Sequence, residues 1–218
     1  MRGGMGVRSR SAVLVAMGAF LALPAGAAAR TQDVEAAGDP FTPGTLAFKP
    51  ASVKVNVGDV VRWTNTDDYV PHTATEDHGL WDLTGTYGLP GNYGFGPHES
   101  RSRTFEAGTQ HYYCKVHPTQ MRGVVAVPVR ASVKKLPKGK RRISIRWASR
   151  KPASGQVFDV QLKRAGGGWR DFRKGTRDQT GRRTTHGQKV DWSIRARLRS
   201  ASDKSKATGW SPAVIVKA

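Results

Sequence analysis

In the stretch YYCKVHPTQM, residues 112–121, a thiol, an imidazole and a thioether stand at Cys114, His117 and Met121. Sulfur and imidazole donors so close together suit a soft or borderline ion, copper above all. Cys114 is the only cysteine in the 218-residue chain, so no internal disulfide accounts for it. A plane of two imidazoles and one thiolate needs a second histidine. His72, which follows Pro71 at a turn in NTDDYVPHTAT, is the candidate. Taken singly, Cys114 is a small buried apolar residue, His117 a turn residue and Met121 core filling. Taken together with His72, they are a metal site.

The elements that must position these groups read as strands. Val53, Val55 and Val57 alternate with Lys54 and Asn56. Gly58-Asp59 then turns the chain, and Val61 and Trp63 resume the apolar face, a pattern that predicts a hairpin with one buried side. HYYCKV alternates as well, and GVVAV after Gly123 reads as a buried last strand. Helix-like periodicity is nearly absent, so the fold class is all-β. Cys114 would end the penultimate strand, with His117 and Met121 in the loop beyond it. Pro118 would stiffen that loop by fixing its φ.

FKPASVKVNVGDVVRWTN, the PHT around His72, and YYCKVHPTQMRGVVAV resemble the cupredoxins, the small blue copper proteins that include plastocyanin, amicyanin and pseudoazurin. The resemblance covers about residues 40–128. It implies a Greek-key β-sandwich with one type 1 copper working in single-electron transfer. It also implies His72, Cys114 and His117 as equatorial ligands and Met121 as a weak axial one. The three residues PTQ between His117 and Met121 depart from amicyanin-like loops, which have two, and plastocyanin-like loops, which have four. Azurin-like loops have three, but after a longer Cys-to-His gap. Gln120 stands where a shorter loop would place its methionine, and an amide oxygen is an alternative axial ligand. Tyr113 and Lys115 flank the cysteine where multicopper oxidases carry histidines, which argues against an oxidase. A nitrite reductase on a single such unit is disfavoured too, and the expectation is an electron carrier or copper-binding protein with no enzyme activity. His78, His98 and His111 read as ordinary loop or strand histidines. The glycine-rich segment GTYGLPGNYGFGPHES reads as a surface loop. Its sharper reading is a lid near the metal, with Trp81, Tyr87, Tyr93 or Phe95 covering it.

The chain opens with Arg2, Arg8 and Arg10, an apolar run and small residues at Ala27–Ala29, the pattern of a cleaved secretory signal over residues 1–29. Gly18 and Pro24 interrupt that run, which is short for a membrane span. No later segment is apolar enough to cross a bilayer. The organisation expected is a leader at 30–39, the metal domain at 40–128, a linker at 129–135 and a second domain at 136–218. Charge divides at the same place. Residues 31–128 carry 7 Lys/Arg against 11 Asp/Glu, whereas residues 129–218 carry 25 against 5. The chain as a whole is at +20.

In the second domain Ile143, Ile145 and Trp147 alternate with polar residues, as do Phe158, Val160 and Leu162. Val190 to Leu198 alternate against Arg195, Arg197 and Arg199. ISIRWAS, FDVQLKR, GGGWRDF, WSIRARLRS and GWSPAVIV resemble a fibronectin type III domain by strand pattern and tryptophan placement. That resemblance implies an adhesive or spacer sandwich in which Trp210 stacks with Arg197 or Arg199. Its charge attracts polyanions. Anionic cell-envelope polymers, lipid head groups or an acidic redox partner fit an exported protein, and export argues against nucleic acid. The expected function is a secreted, envelope-associated carrier of single electrons between redox partner proteins. Copper capture and storage, or an adhesion module with a structural copper, are the alternatives.

Overall fold

The computed structural model describes residues 28–42, 44–84, 94–187 and 189–217. Among these residues the chain forms strands and turns, and no helix is long and apolar enough to cross a membrane. The expected signal segment, apart from Ala28 and Ala29, lies outside them.

The first sandwich is built from β1 (Thr31–Ala37), β2 (Ala47–Lys49), β3 (Ser52–Lys54), β4 (Val60–Asn65), β5 (Thr75–Glu76), β6 (Ser100–Thr104), β7 (Gly108–Tyr113) and β8 (Arg122–Val127). One sheet has the order β2-β1-β4-β6 and the other β3-β8-β7-β5. Alternation does the sorting. In β4, Val61, Trp63 and Asn65 are buried while Arg62 is exposed. Between the sheets, the Trp63 ring lies 5.4–5.9 Å from Tyr112, Phe105 and Trp81, a tilted and edge-on cluster. Gly123 is required here, because a Cβ on it would sit 2.3 Å from the Tyr112 ring.

Two expectations for this half are corrected. Val53, Val55 and Val57 are buried as the pattern requires, but they do not belong to a hairpin with β4. β3 pairs in parallel with β8, whereas β4 pairs with β1 and β6. Side chains from opposed sheets aim at one interior, so alternation reports which way a strand faces and leaves its partner open. Residues 30–39, expected as a leader, include β1. It runs between β2 and β4, parallel to β4 over six residue pairs, from Thr31↔Val60 to Ala36↔Asn65.

The second sandwich follows with β9 (Arg130–Lys135), β10 (Arg141–Arg146), β11 (Gln156–Arg164), β12 (Arg170–Thr176), β13 (Thr180–Thr185), β14 (Asp191–Ser200) and β15 (Val214–Lys217). A three-stranded sheet, β13-β10-β9, faces a four-stranded one, β12-β11-β14-β15. Their inner faces carry Ile143, Ile145 and Trp147 against Phe158, Val160, Leu162, Ile194, Ala196 and Leu198. The segment 129–135, expected as a linker, is mostly strand β9, in register with β10 from Arg130↔Arg146 to Lys135↔Arg141. Its lysines and arginines disguise a strand whose Ala131 and Val133 turn inward.

The two sandwiches are therefore joined without slack. Thr109 and Gly209 exchange backbone hydrogen bonds at 2.9 and 2.8 Å, and the Ala107 amide donates to the Trp147 carbonyl. The Glu106 carboxylate accepts from the Ser149 amide and hydroxyl at 2.7 and 2.6 Å. Burial raises the Glu106 pKa, and these bonds and nearby Arg150 only partly offset it. Buried apolar side chains of both halves form one contiguous cluster. β7 starts at this junction and leads to Cys114, about 17–20 Å away at the usual strand rise.

Candidate metal centre

β7 ends one residue before Cys114, and β8 starts one residue after Met121. The eight residues from Cys114 to Met121 close on themselves. The Cys114 amide donates to the Met121 carbonyl at 3.0 Å, His117 N–H to the Cys114 carbonyl at 3.2 Å, and Met121 N–H to the His117 carbonyl at 3.0 Å. Three of the expected site residues are thus set by one small backbone loop. Cys114 and Met121 are fully buried, His117 is half-buried, and Gln120 is exposed. The Gln120 side-chain oxygen accepts from the Thr119 hydroxyl at 2.6 Å.

His72 arrives from the other sheet. Its backbone exchanges hydrogen bonds with Phe95, N–H to O at 3.1 Å and the reverse at 2.8 Å. Gly94 makes this approach possible. Its φ is +129°, and a Cβ there would meet the His72 carbonyl oxygen at 2.2 Å. The buried Asn65 amide group donates to the carbonyls of Val70 and Phe95 at 2.7 and 3.2 Å, while its oxygen accepts from the Asp67 amide. This side chain ties the loop 66–71 to the strand that launches it.

The donor atoms converge. Nδ1 of His72 and Nδ1 of His117 each lie 3.8 Å from Cys114 Sγ, and the three ligand atoms lie within 4.8 Å of one another. On the far side of the His72 ring, Nε2 contacts Asp67 Oδ2 at 2.6 Å. The other oxygen of that carboxylate accepts from the Gly38 amide. A carboxylate on Nε2 holds the ring proton there, which leaves the Nδ1 lone pair aimed at the sulfur. Burial pushes the Cys114 thiol up. Hydrogen bonds from His72, the Thr73 amide at 3.3 Å and the backbone at His117, with the charge of His72, outweigh it and hold the thiol below its ordinary value. Burial likewise pushes His72 down, but Cys114 and Asp67 together raise it. His117 is lowered by burial and by the charge of His72. An ionisable thiol and two aimed lone pairs are what a soft cation needs, so the donor set fits copper.

Asp67, Asn65, Thr73 and Gly94 were not singled out in the sequence. The only local signal was the pair of acids ahead of the histidine in NTDDYVPH. Elsewhere, His78 contacts Glu76, His98 contacts Asp68, and His111 is an exposed strand residue, so none joins the cluster. Of the residues expected to form a lid, Tyr87 and Tyr93 lie outside the described residues. Trp81 is buried in the aromatic core with its indole N–H on Gln110, and Phe95 serves through its backbone contact with His72. In the second sandwich, Trp210 stacks on Arg195 at 4.5 Å and on Arg197 at 4.6 Å. Arg199, the other expected partner, is buried on Asp159 instead.

A family model described as copper binding proteins, plastocyanin/azurin family, matches residues 40–128. Among solved structures, a variant of amicyanin in the Cu(I) form is 30% identical, with 44% of this chain and 81% of that chain covered and a TM-score of 0.32. A purple cupredoxin from Nitrosopumilus maritimus is 23% identical, with 44% and 97% covered and a TM-score of 0.33. A copper-containing nitrite reductase from Thermus scotoductus is 24% identical, with 46% and 22% covered and a TM-score of 0.32.

Proposed function

The chain belongs, through residues 40–128, to the copper-binding proteins of the plastocyanin/azurin family, and from that premise we propose that it is an exported type 1 copper protein carrying single electrons between redox partners. The observation that carries this reading is the convergence of His72 Nδ1, His117 Nδ1 and Cys114 Sγ to within 4.8 Å of one another. Copper held there would supply the Cu(I)/Cu(II) couple. Each side chain has a distinct part in it. Cys114 gives the thiolate, and His72 is held by Asp67 and Asn65 so that neither oxidation state has to move it. His117, half-buried, would be the partly exposed ligand and the way out for the electron. Met121, fully buried in the same loop, would be the fourth ligand in preference to Gln120, which is exposed and whose oxygen already accepts from the Thr119 hydroxyl.

The second sandwich meets the first at the end remote from the ligands and so does not itself cover the His117 side. Its division into three and four strands supports a fibronectin type III-like module. Its 25 basic residues against 5 acidic ones, over residues 129–218, support attachment to an anionic surface of the cell envelope. The role is that of a carrier with no turnover of its own.

The test is a visible spectrum after adding Cu(II) to the mature protein and to Cys114→Ser. An intense blue or purple band in the first and none in the second is the expected outcome. A pale product in both would remove the type 1 site from the reading.

A further inference from the structure

The arginines of the second sandwich are not equivalent, and the two sheets use them in opposite ways. On the four-stranded sheet the three arginines of β14 are engaged. Arg195 lies over Trp169 at 4.0 Å and Trp210 at 4.5 Å. Arg197 and Arg199 both bond Asp159. On the three-stranded sheet the inward positions of β9 and β10 are Ala131, Val133, Ile143 and Ile145, so the alternate residues form the outer face. The register aligns that face in three cross-strand rows: Lys134–Arg142–Thr184, Ser132–Ser144–Arg182 and Arg130–Arg146–Thr180. It holds five cations and four hydroxyls. No acidic residue stands in β9, β10 or β13. Among the described residues, no carboxylate lies within 4.0 Å of the charged groups of Lys134, Arg142 or Arg182.

We propose that this outer face of β9, β10 and β13 is a docking surface for a linear polyanion with regularly repeated phosphate, sulfate or carboxylate groups. The inference rests on the reading that the second sandwich attaches the protein to an anionic surface, and it names the face and the class of partner. Neighbouring strands stand about 4.8 Å apart and successive outward residues about 6.7 Å apart, so the cations form a grid that an anionic chain meets at repeated points. The hydroxyls between them supply additional hydrogen-bond donors to anion oxygens. A shallow recess of about 290 Å³ runs over the rows of Arg182 and Arg146. Among the described residues, the large exposed apolar side chains, Phe41, Tyr69, Val116 and Ile215, all lie elsewhere. The face thus has nothing to insert among acyl chains, and a flexible chain fits it better than a bilayer. The larger recess of about 580 Å³ between β12 and β13 is a poorer site. Asp171 lines it, and Arg183 is stacked on Trp192 at 4.5 Å.

The experiment measures binding of the mature protein to long-chain inorganic polyphosphate across a salt series, with phosphatidylglycerol/phosphatidylcholine vesicles in parallel. The variant Lys134→Thr/Arg142→Thr/Arg182→Thr is compared with Arg164→Thr/Lys204→Thr/Lys206→Thr, which removes the same charge from outside the face. Threonine suits an outward strand position, and Arg182→Thr alone serves if the triple variant does not fold. The face variant should bind roughly a hundredfold more weakly at low salt, and Arg182→Thr about fivefold. The salt slope of the triple variant should be shallower by about 2–3. The control should stay close to the unmodified protein. Equal losses in both triple variants would overturn the face while leaving attachment by overall charge intact. Binding to vesicles in preference to polyphosphate would overturn the linear partner. Failure of the unmodified protein to bind either would remove the attachment reading as well.

Discussion

Each sandwich buries a charged or ionisable cluster among its polar groups, at Cys114 in the first and at Asp159 in the second, and these two are built on opposite logic. In the second, Asp159 accepts from the Gly175 amide, Arg197 and Arg199 at 2.9–3.3 Å, so an anion is enclosed by its own donors. In the first, a thiol readily ionised and two imidazole nitrogens face one another across 3.8 Å. These are electron-pair donors turned toward a common point, and nothing else in the cluster can neutralise them all at once. A self-satisfied cluster holds a fold together. A cluster of converging lone pairs asks for a cation from outside.

That contrast can be broken most sharply at Cys114. Copper at a thousandfold excess over its Kd should add about 4 kcal/mol to the unfolding free energy of the unmodified protein. Cys114→Ser should show almost none of this, yet differ by no more than about 1 kcal/mol without metal; denaturant titrations with and without Cu(II) read both. At Asp159 the effect should be indifferent to copper. Asp159→Ala strands two arginines and should cost about 3 kcal/mol in either condition. A copper-dependent loss there would mean that the clusters are coupled through the shared core. Asp67→Ala should lower copper affinity roughly tenfold to a hundredfold, with partial rescue by Asp67→Asn, whose amide oxygen still accepts from Nε2. Competition against a chelator measures it. Trp210→Leu removes the stack on Arg195 and Arg197 and should cost about 1–2 kcal/mol with no change in the copper spectrum.

The smallest effect is in pH. Burial pushes Asp159 up, but the Gly175 amide and the two arginines win and hold it below 3.8. The ionised carboxylate therefore stabilises the fold above that value, and the contribution is lost as pH falls from 3.8 through the lower folded value. Acid unfolding of copper-free protein should show that limb, and Asp159→Ala should lack it.

What the residue pattern reveals follows the range of each interaction. The thiol and both histidines were visible because residue types so rare seldom gather in this order without a metal to hold. Burial of Val53, Val55, Val57 and Trp63 was visible because alternation is local. Pairing was not. β1 and β9 looked like leader and linker because their exposed faces are polar or basic, and only a partner strand makes Ala36 or Val133 an inward residue. Asp67 was hidden for a related reason. One of two adjacent aspartates reaches His72 and Gly38, and no spacing rule distinguishes it from Asp68, which pairs with His98 at the surface.

The strand β7 joins the exchange with Gly209 at one end to Cys114 at the other. A protein attached by its second sandwich and engaged by a partner at its ligand pole carries the load between those points along this strand. Its six register pairs with β8 lie across the direction of pull. Tension would then run along the backbone of β7, in a direction that does not open those pairs one after another. The loop from Cys114 to Met121 hangs on both strands of that ladder, so the site would be braced if the protein were tethered by its second sandwich.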